Sequence, residues 1–221
     1  MSRGVFLHCS MIAIIWRSYQ RSAVSFSIER GYVGRLILIL GGARSGKSTF
    51  AQQLAESLGG EQVLFVATAQ AGDEEMQARV QAHRRERPTA WRTLEAQRGI
   101  GPAISASLTD ARVVLIDCLT LLVTNIMLAR GETPEAATAQ AAVLAEVQSL
   151  LDVCAHSTAT FIVVSNEVGM GLVPPYPLGR LFRDLLGRAN QILAGRADQV
   201  YLIVAGLPLD LKALAAQPLQ E

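Results

Sequence analysis

Cysteine is scarce in this chain of 221 residues: three occur, Cys9, Cys118 and Cys154, and none is paired in spacing with another. That excludes a disulfide framework or a zinc site of closely spaced cysteines, and it fits a reducing, cytoplasmic compartment. A basic surplus is missing as well. Twenty Lys and Arg face 19 Asp and Glu, a formal charge of +1, whereas a dedicated nucleic-acid binder normally carries a clear positive excess. No stretch reaches the ~18 uninterrupted apolar residues that would suggest a membrane span. Internal repeats and low-complexity tracts are absent too. What remains is a chain half hydrophobic, which at this length supports one α/β domain with an ample core.

The chain is organised around Arg35 to Thr49, RLILILGGARSGKST. Leu36 to Leu40 is wholly apolar, as a strand buried on both faces should be. It breaks at Gly41, and Gly41, Gly46, Lys47 and Ser48 satisfy G-x-x-x-x-G-K-[ST], with Gly42, Ala43, Arg44 and Ser45 between them. Glycines let the backbone approach a polyphosphate and point its N–H groups inward. In such a loop Lys47 meets the β- and γ-phosphates, and the Ser48 hydroxyl ligates Mg²⁺. An amphipathic helix (Phe50, Leu54, Leu58) then sets its positive dipole end beneath the phosphates.

Beyond the loop, the spacing predicts a helix from Lys47 to Gly59-Gly60, a strand at Val63 to Ala67, and a polar helix from Asp73 to Arg87 stopped by Pro88. A short extended piece comes next at Trp91 to Leu94. Val113 to Ile116 is a further strand ending in Asp117, the Walker B position for a Mg²⁺ carboxylate. Leu119 to Leu128 reads as helix, and Pro134 as the first turn of a long helix to Ala155. Phe161 to Val164 is the fourth main strand, and the Pro- and Gly-rich loop Asn166 to Pro177 has the character of a substrate-covering loop. Leu178 to Ala194 returns as helix and Val200 to Val204 as a final strand. Alternating strands and helices imply a phosphate-loop NTPase-type (RecA-like) fold, a mostly parallel sheet covered on both faces. Residues 1–34 differ in composition and are read as a poorly ordered leader. The domain proper is expected at 35–212, with a frayed tail at 213–221.

Arg79, His83 and Arg87 fall at i, i+4 and i+8, on one face if the segment is helical. Such arginines bind phosphates, and neighbouring positive charge keeps an imidazole neutral and nucleophilic. A solvated basic helix face has the same pattern. His156, at a helix end, reads as a C-terminal cap. His8 lies in the leader.

Taken together, GGARSGKS (41–48), VATAQ (66–70), ARVQAHRRERP (78–88), WRTLE (91–95), LIDCLTLLVTN (115–125), VVSNEVGMGLVP (163–174), FRDLLGRANQILA (182–194) and YLIVAGLPLDLK (201–212) resemble the bifunctional adenosylcobinamide kinase/adenosylcobinamide-phosphate guanylyltransferase family of cobalamin biosynthesis. The resemblance implies ATP and GTP as substrates, Mg²⁺ as cofactor and adenosylcobinamide as acceptor, with no nucleic acid and a homo-oligomer allowed. By that resemblance the chain phosphorylates adenosylcobinamide, takes GMP from GTP onto His83, and passes it to the new phosphate. It further implies nucleotide contacts at Thr68, Ala69, Arg84, Arg85, Glu86, Arg87, Glu95 and Asp117, with catalytic roles for His83 and Lys47. Asp117 stands where some members carry Glu, and Ala205 where many carry Ser. A plain phosphate-loop kinase or ATPase without a covalent nucleotide, and a non-enzymatic nucleotide-dependent switch, are the alternatives.

Overall fold

The computed structural model describes residues 34–69, 87–131 and 133–215. The expected leader up to residue 33, the expected helix from Asp73 to Arg87 apart from Arg87 itself, and residues 216–221 of the tail lie outside them. In chain order the elements are β1 (Arg35–Gly41), α1 (Lys47–Gly59), β2 (Val63–Ala67), β3 (Arg92–Glu95), α2 (Ile100–Ser107), β4 (Val113–Asp117), α3 (Leu119–Leu128), α4 (Ala136–Ala155), β5 (Thr160–Asn166), α5 (Pro177–Arg196), β6 (Gln199–Val204), β7 (Leu207–Asp210) and α6 (Leu211–Leu214).

The strands form one sheet in the order β3-β2-β4-β5-β1-β6-β7. Every neighbouring pair is parallel except β6 with β7. Strand β5 lies between β1, which leads into the phosphate-loop sequence, and β4, which ends in Asp117. That insertion is the RecA-like arrangement. Because crossover helices cover a parallel sheet, its inner strands lack the polar alternation of a half-exposed strand. Ile37, Leu38 and Ile39 are accordingly all at 0% exposure.

Alternate strand residues serve opposite faces. Leu38, Val66, Ile116 and Val163 join one core with Leu122 of α3, Val147 of α4 and Leu186 of α5. Ile37, Phe65, Leu115 and Ile162 belong to the other face, where α1 lies against β4 and β5 and buries Ala51 and Ala55. No helix among the described residues is long and apolar enough to cross a membrane.

Three elements depart from the sequence reading. Helix α2 was not expected, because its cap is tertiary: the Glu146 carboxylate, on α4, accepts from the N–H groups of Gly99 and Ile100 at 3.0 and 2.6 Å. Helix α4 starts at Ala136, after Pro134 and Glu135. The Glu135 carboxylate caps the Thr138 N–H at 3.0 Å, so Pro134 precedes the helix rather than opening it. Strand β6 is not the last. The chain reverses through Ala205 and Gly206 and adds β7 at the sheet edge, a position that tolerates Pro208 because an edge strand can spare an N–H. His156 does cap α4, its Nδ1 lying 2.7 Å from the Asp152 carbonyl.

Candidate functional site

All the parallel strands deliver their carboxyl ends to one edge of the sheet, where open α/β sheets bind ligands. The loop from β1 to α1 turns there. Gly46 caps α1 at φ 93°, a left-handed conformation that favours glycine, and no side chain caps the helix in its place. Gly42 faces open space, with nothing within 4 Å of where a Cβ would stand. The loop is held internally by Ser45 N–H to Gly42 O at 3.3 Å and Phe50 N–H to Gly46 O at 2.9 Å. Ala43, Arg44 and Gly42 are exposed, whereas Ser45, Lys47 and Ser48 are half-buried.

The Lys47 ammonium donates to the Gly42 carbonyl at 3.1 Å. Burial pulls its pKa below the ordinary lysine value, while Cys118 and the Asp117 carboxylate pull it back up. Lys47, Asp117 and Cys118 therefore share one neighbourhood. Burial, reinforced by Asp117, pushes the Cys118 thiol up to about 11. At neutral pH that thiol is uncharged, so the carboxylate is the attraction that counts for Lys47.

Asp117 stands at the end of β4, and the peptide joining it to Cys118 is cis. Thr68 braces the backbone of Cys118. Its fully buried hydroxyl donates to the Cys118 carbonyl at 2.7 Å and accepts from the Cys118 N–H at 2.8 Å. Other polar side chains tie the remaining strand ends to the helices below. Asn125 donates to the Thr68 carbonyl at 2.8 Å, and Thr120 accepts from the Asn166 N–H at 2.9 Å. Asn190 accepts from the Ser165 hydroxyl at 2.7 Å and donates to the Asn166 carbonyl at 3.1 Å. Sequence reasoning did not single out Thr120, Asn125 or Asn190. The available signal was a polar residue inside an apolar helical run, since buried polar groups need partners.

The expected site residues do not all converge. Gly41 to Ser48 and Asp117 do come together. Ala69 sits beside Thr68, just past the end of β2. Glu95 ends β3, paired with Ala67, at the same edge but four strand spacings from β1, about 19 Å. The Arg87 guanidinium lies 3.5 Å from the centroid of the Phe65 ring, over the middle of β2. The Thr68 hydroxyl is committed to Cys118, its N–H to the Asp117 carbonyl and its own carbonyl to Asn125. His83, Arg84, Arg85 and Glu86 lie outside the described residues.

A Mg²⁺ ion suits the donors present. Ser48 and Asp117 offer hard oxygens, and Mg²⁺ carried by a polyphosphate asks only one or two ligands of the protein. Among the described residues no group of three or more His, Cys, Asp or Glu forms a dedicated metal cage.

A RecA-like sheet with this loop and a carboxylate two strands away defines a phosphate-loop, nucleotide-binding enzyme. Residues 37–211 match the family model described as cobinamide kinase / cobinamide phosphate guanyltransferase. The bifunctional adenosylcobalamin biosynthesis protein CobU of Escherichia coli is 43% identical over 182 residues, 80% of this chain and 99% of that protein. The CobU protein of Salmonella typhimurium matches equally. The bifunctional adenosylcobalamin biosynthesis protein CobP of Pseudomonas aeruginosa is 42% identical over 175 residues, 79% of this chain and 96% of that protein. The chain belongs to the cobinamide kinase / cobinamide phosphate guanyltransferase family, whose members are transferases.

Proposed function

We propose that this protein phosphorylates the terminal hydroxyl of adenosylcobinamide with a nucleoside triphosphate and then guanylylates the product through a histidine. In the first reaction the hydroxyl oxygen attacks the γ-phosphorus and the nucleoside diphosphate leaves. In the second, an imidazole nitrogen of His83 attacks the α-phosphorus of GTP, and pyrophosphate leaves. A phosphate oxygen of adenosylcobinamide phosphate then displaces His83, giving adenosylcobinamide-GDP. The observation that carries this reading is the family match across the whole sheet, with the phosphate loop, Lys47 and Asp117 in one neighbourhood.

Each group has its own share of the work. Backbone N–H groups of Gly42 to Ser48 hold the phosphates, and Lys47 counters their charge as it shifts during transfer. Ser48 and Asp117 would hold Mg²⁺, which supplies further charge neutralisation on the phosphates. His83 divides one difficult displacement into two easier ones, while Arg84, Arg85 and Arg87 would bind the nucleotide and steady the departing pyrophosphate. Glu86 and Glu95 are assigned to nucleotide contact with them.

Incubation with α-³²P-GTP tests the covalent step. Wild-type protein should take up label in an acid-labile, base-stable bond, and His83→Ala should take up none while still making adenosylcobinamide phosphate. Label retained by the folded His83→Ala protein would remove His83 from the mechanism. Phosphorylation with no labelled protein in the wild type would leave a monofunctional kinase.

A further inference from the structure

The β6–β7 connection is two residues long, and both are left-handed: Ala205 at φ 51° and Gly206 at φ 81°. Two consecutive positive φ values mark the type I′ turn, whose twist matches that of the strands it joins. This hairpin does more than end the sheet. The Gly206 N–H donates to the Ser45 carbonyl at 2.8 Å, inside the phosphate loop. A Cβ at Gly46 would stand 3.2 Å from Gly206 Cα, and a Cβ at Gly41 would stand 2.8 Å from the Ile203 carbonyl oxygen and 2.5 Å from Ser45 Oγ. The first and last glycines of the loop thus press against hairpin backbone, while Gly42 faces open space.

The geometry points to the Ala205–Gly206 turn as a positioning element for the phosphate loop, with Gly206 the positioning residue. The stereochemistry of one peptide is decisive. In a trans peptide the C=O and N–H point in opposite directions. Pinning the Ser45 carbonyl to the hairpin therefore aims the Gly46 N–H away from it, toward the concave side of the loop. The loop's anion-facing N–H array is set from behind by a strand pair far along the chain. Ala205 has a part in this, because an L-residue at φ 51° keeps the turn at two residues only while the surrounding pairing holds it there.

This rests on the reading of Gly41 to Ser48 as the nucleotide site, and the test separates the two. A glycine inserted between Ala205 and Gly206 lengthens the turn to three residues, a length hairpins accept, and carries the Gly206 N–H away from Ser45. GDP with Mg²⁺ is titrated into wild type, the insertion variant and Leu209→Ser, a control on the exposed face of β7. The insertion should weaken GDP binding by about tenfold, equivalent to about 1.4 kcal/mol, with a melting temperature matching that of the Leu209→Ser control. Equal GDP affinity in the insertion variant and the wild type would overturn the positioning role. So would a loss of affinity that merely tracks melting temperature across the variants. Wild-type protein that binds no GDP would instead refute the nucleotide site itself.

Discussion

Thr68→Val replaces a hydroxyl by a methyl of nearly equal size, so it removes chemistry without opening a cavity. The lost contacts are the bonds of 2.7 and 2.8 Å to the Cys118 carbonyl and N–H. Leaving a buried donor or acceptor unpaired costs about 1–3 kcal/mol each. Thr68 is fully buried but Cys118 is only half-buried, so the sum belongs near the lower end, about 2–3 kcal/mol. For a domain of this size that lowers the melting temperature by about 4–12 °C. Thr68→Ser keeps the hydroxyl and should recover most of the loss, short of about 1 kcal/mol for the buried methyl. Because Cys118 directly succeeds Asp117, the valine variant should also bind the Mg²⁺–nucleotide complex more weakly at temperatures where it remains folded. Urea unfolding and GDP titration of the three proteins check this. A valine variant that melts within about 2 °C of wild type would refute the view that Thr68 is the brace of the Asp117 turn.

Lys47→Ala should lower the phosphorylation rate by a factor of about 10²–10³, since a charge-assisted contact made mostly in the transition state contributes about 3–4 kcal/mol; steady-state assay of the folded variant measures it. Cys118 and Cys154, with thiols pushed by burial up to about 11 and about 12, should resist iodoacetamide at pH 7.5, because the thiolate is the nucleophile. Both raised values also mean that the folded state holds these protons more tightly than the unfolded one. Their contribution is fully present below about pH 9 and is lost as pH rises toward 11–12, so melting temperature should fall above pH 9, less steeply in Cys154→Ala. Deleting Met1 to Tyr32 should leave folding and both activities nearly intact, as the first strand among the described residues begins at Arg35; a truncated protein that aggregates would show otherwise.

The inner sheet was legible because its strands are apolar runs, β1 ending in Gly41 and β4 in Asp117, the pattern that burial on both faces demands. The phosphate loop was legible because its glycines and Lys47 sit at a fixed spacing. The elements that escaped depend on partners distant in sequence. The cap of α2 comes from Glu146, 47 and 46 residues from the two groups it satisfies, so nothing local announces that helix. Strand β7 comes after an Ala-Gly turn rather than the Asn-Gly or Asp-Gly of the usual type I′ signal, and it contains a proline. Thr68 was singled out as a residue at the ligand edge, and what its neighbours in sequence do not announce is that its hydroxyl is engaged with Cys118. Arg87 was grouped with the phosphate-binding arginines by helical spacing, and only the packing on Phe65 reveals where its guanidinium goes.

That packing constrains the proposed covalent step. Phe65 is in register with Leu115, Leu115 with Ile162, and Ile162 with Ile37 of β1. Three strand spacings separate β2 from β1, about 14 Å, and Gly41 lies four residues beyond Ile37, about 13 Å further along the strand. The diagonal from the Phe65 ring to the start of the phosphate loop is therefore about 19 Å. His83 precedes Arg87 by four residues. A helical connection separates their Cα atoms by only about 6 Å, leaving about 13 Å for two side chains stretched along one line. An extended connection reaches about 14 Å by itself. With Arg87 seated on Phe65, a helical His83 segment would reach the start of the loop only with both side chains near full stretch. On the proposed mechanism, guanylylation within one chain is therefore favoured by an extended His83 segment or by release of Arg87 from the ring. On the same reading phosphoryl transfer, which uses the loop, Lys47 and the oxygens of Ser48 and Asp117, places no such demand on Arg87.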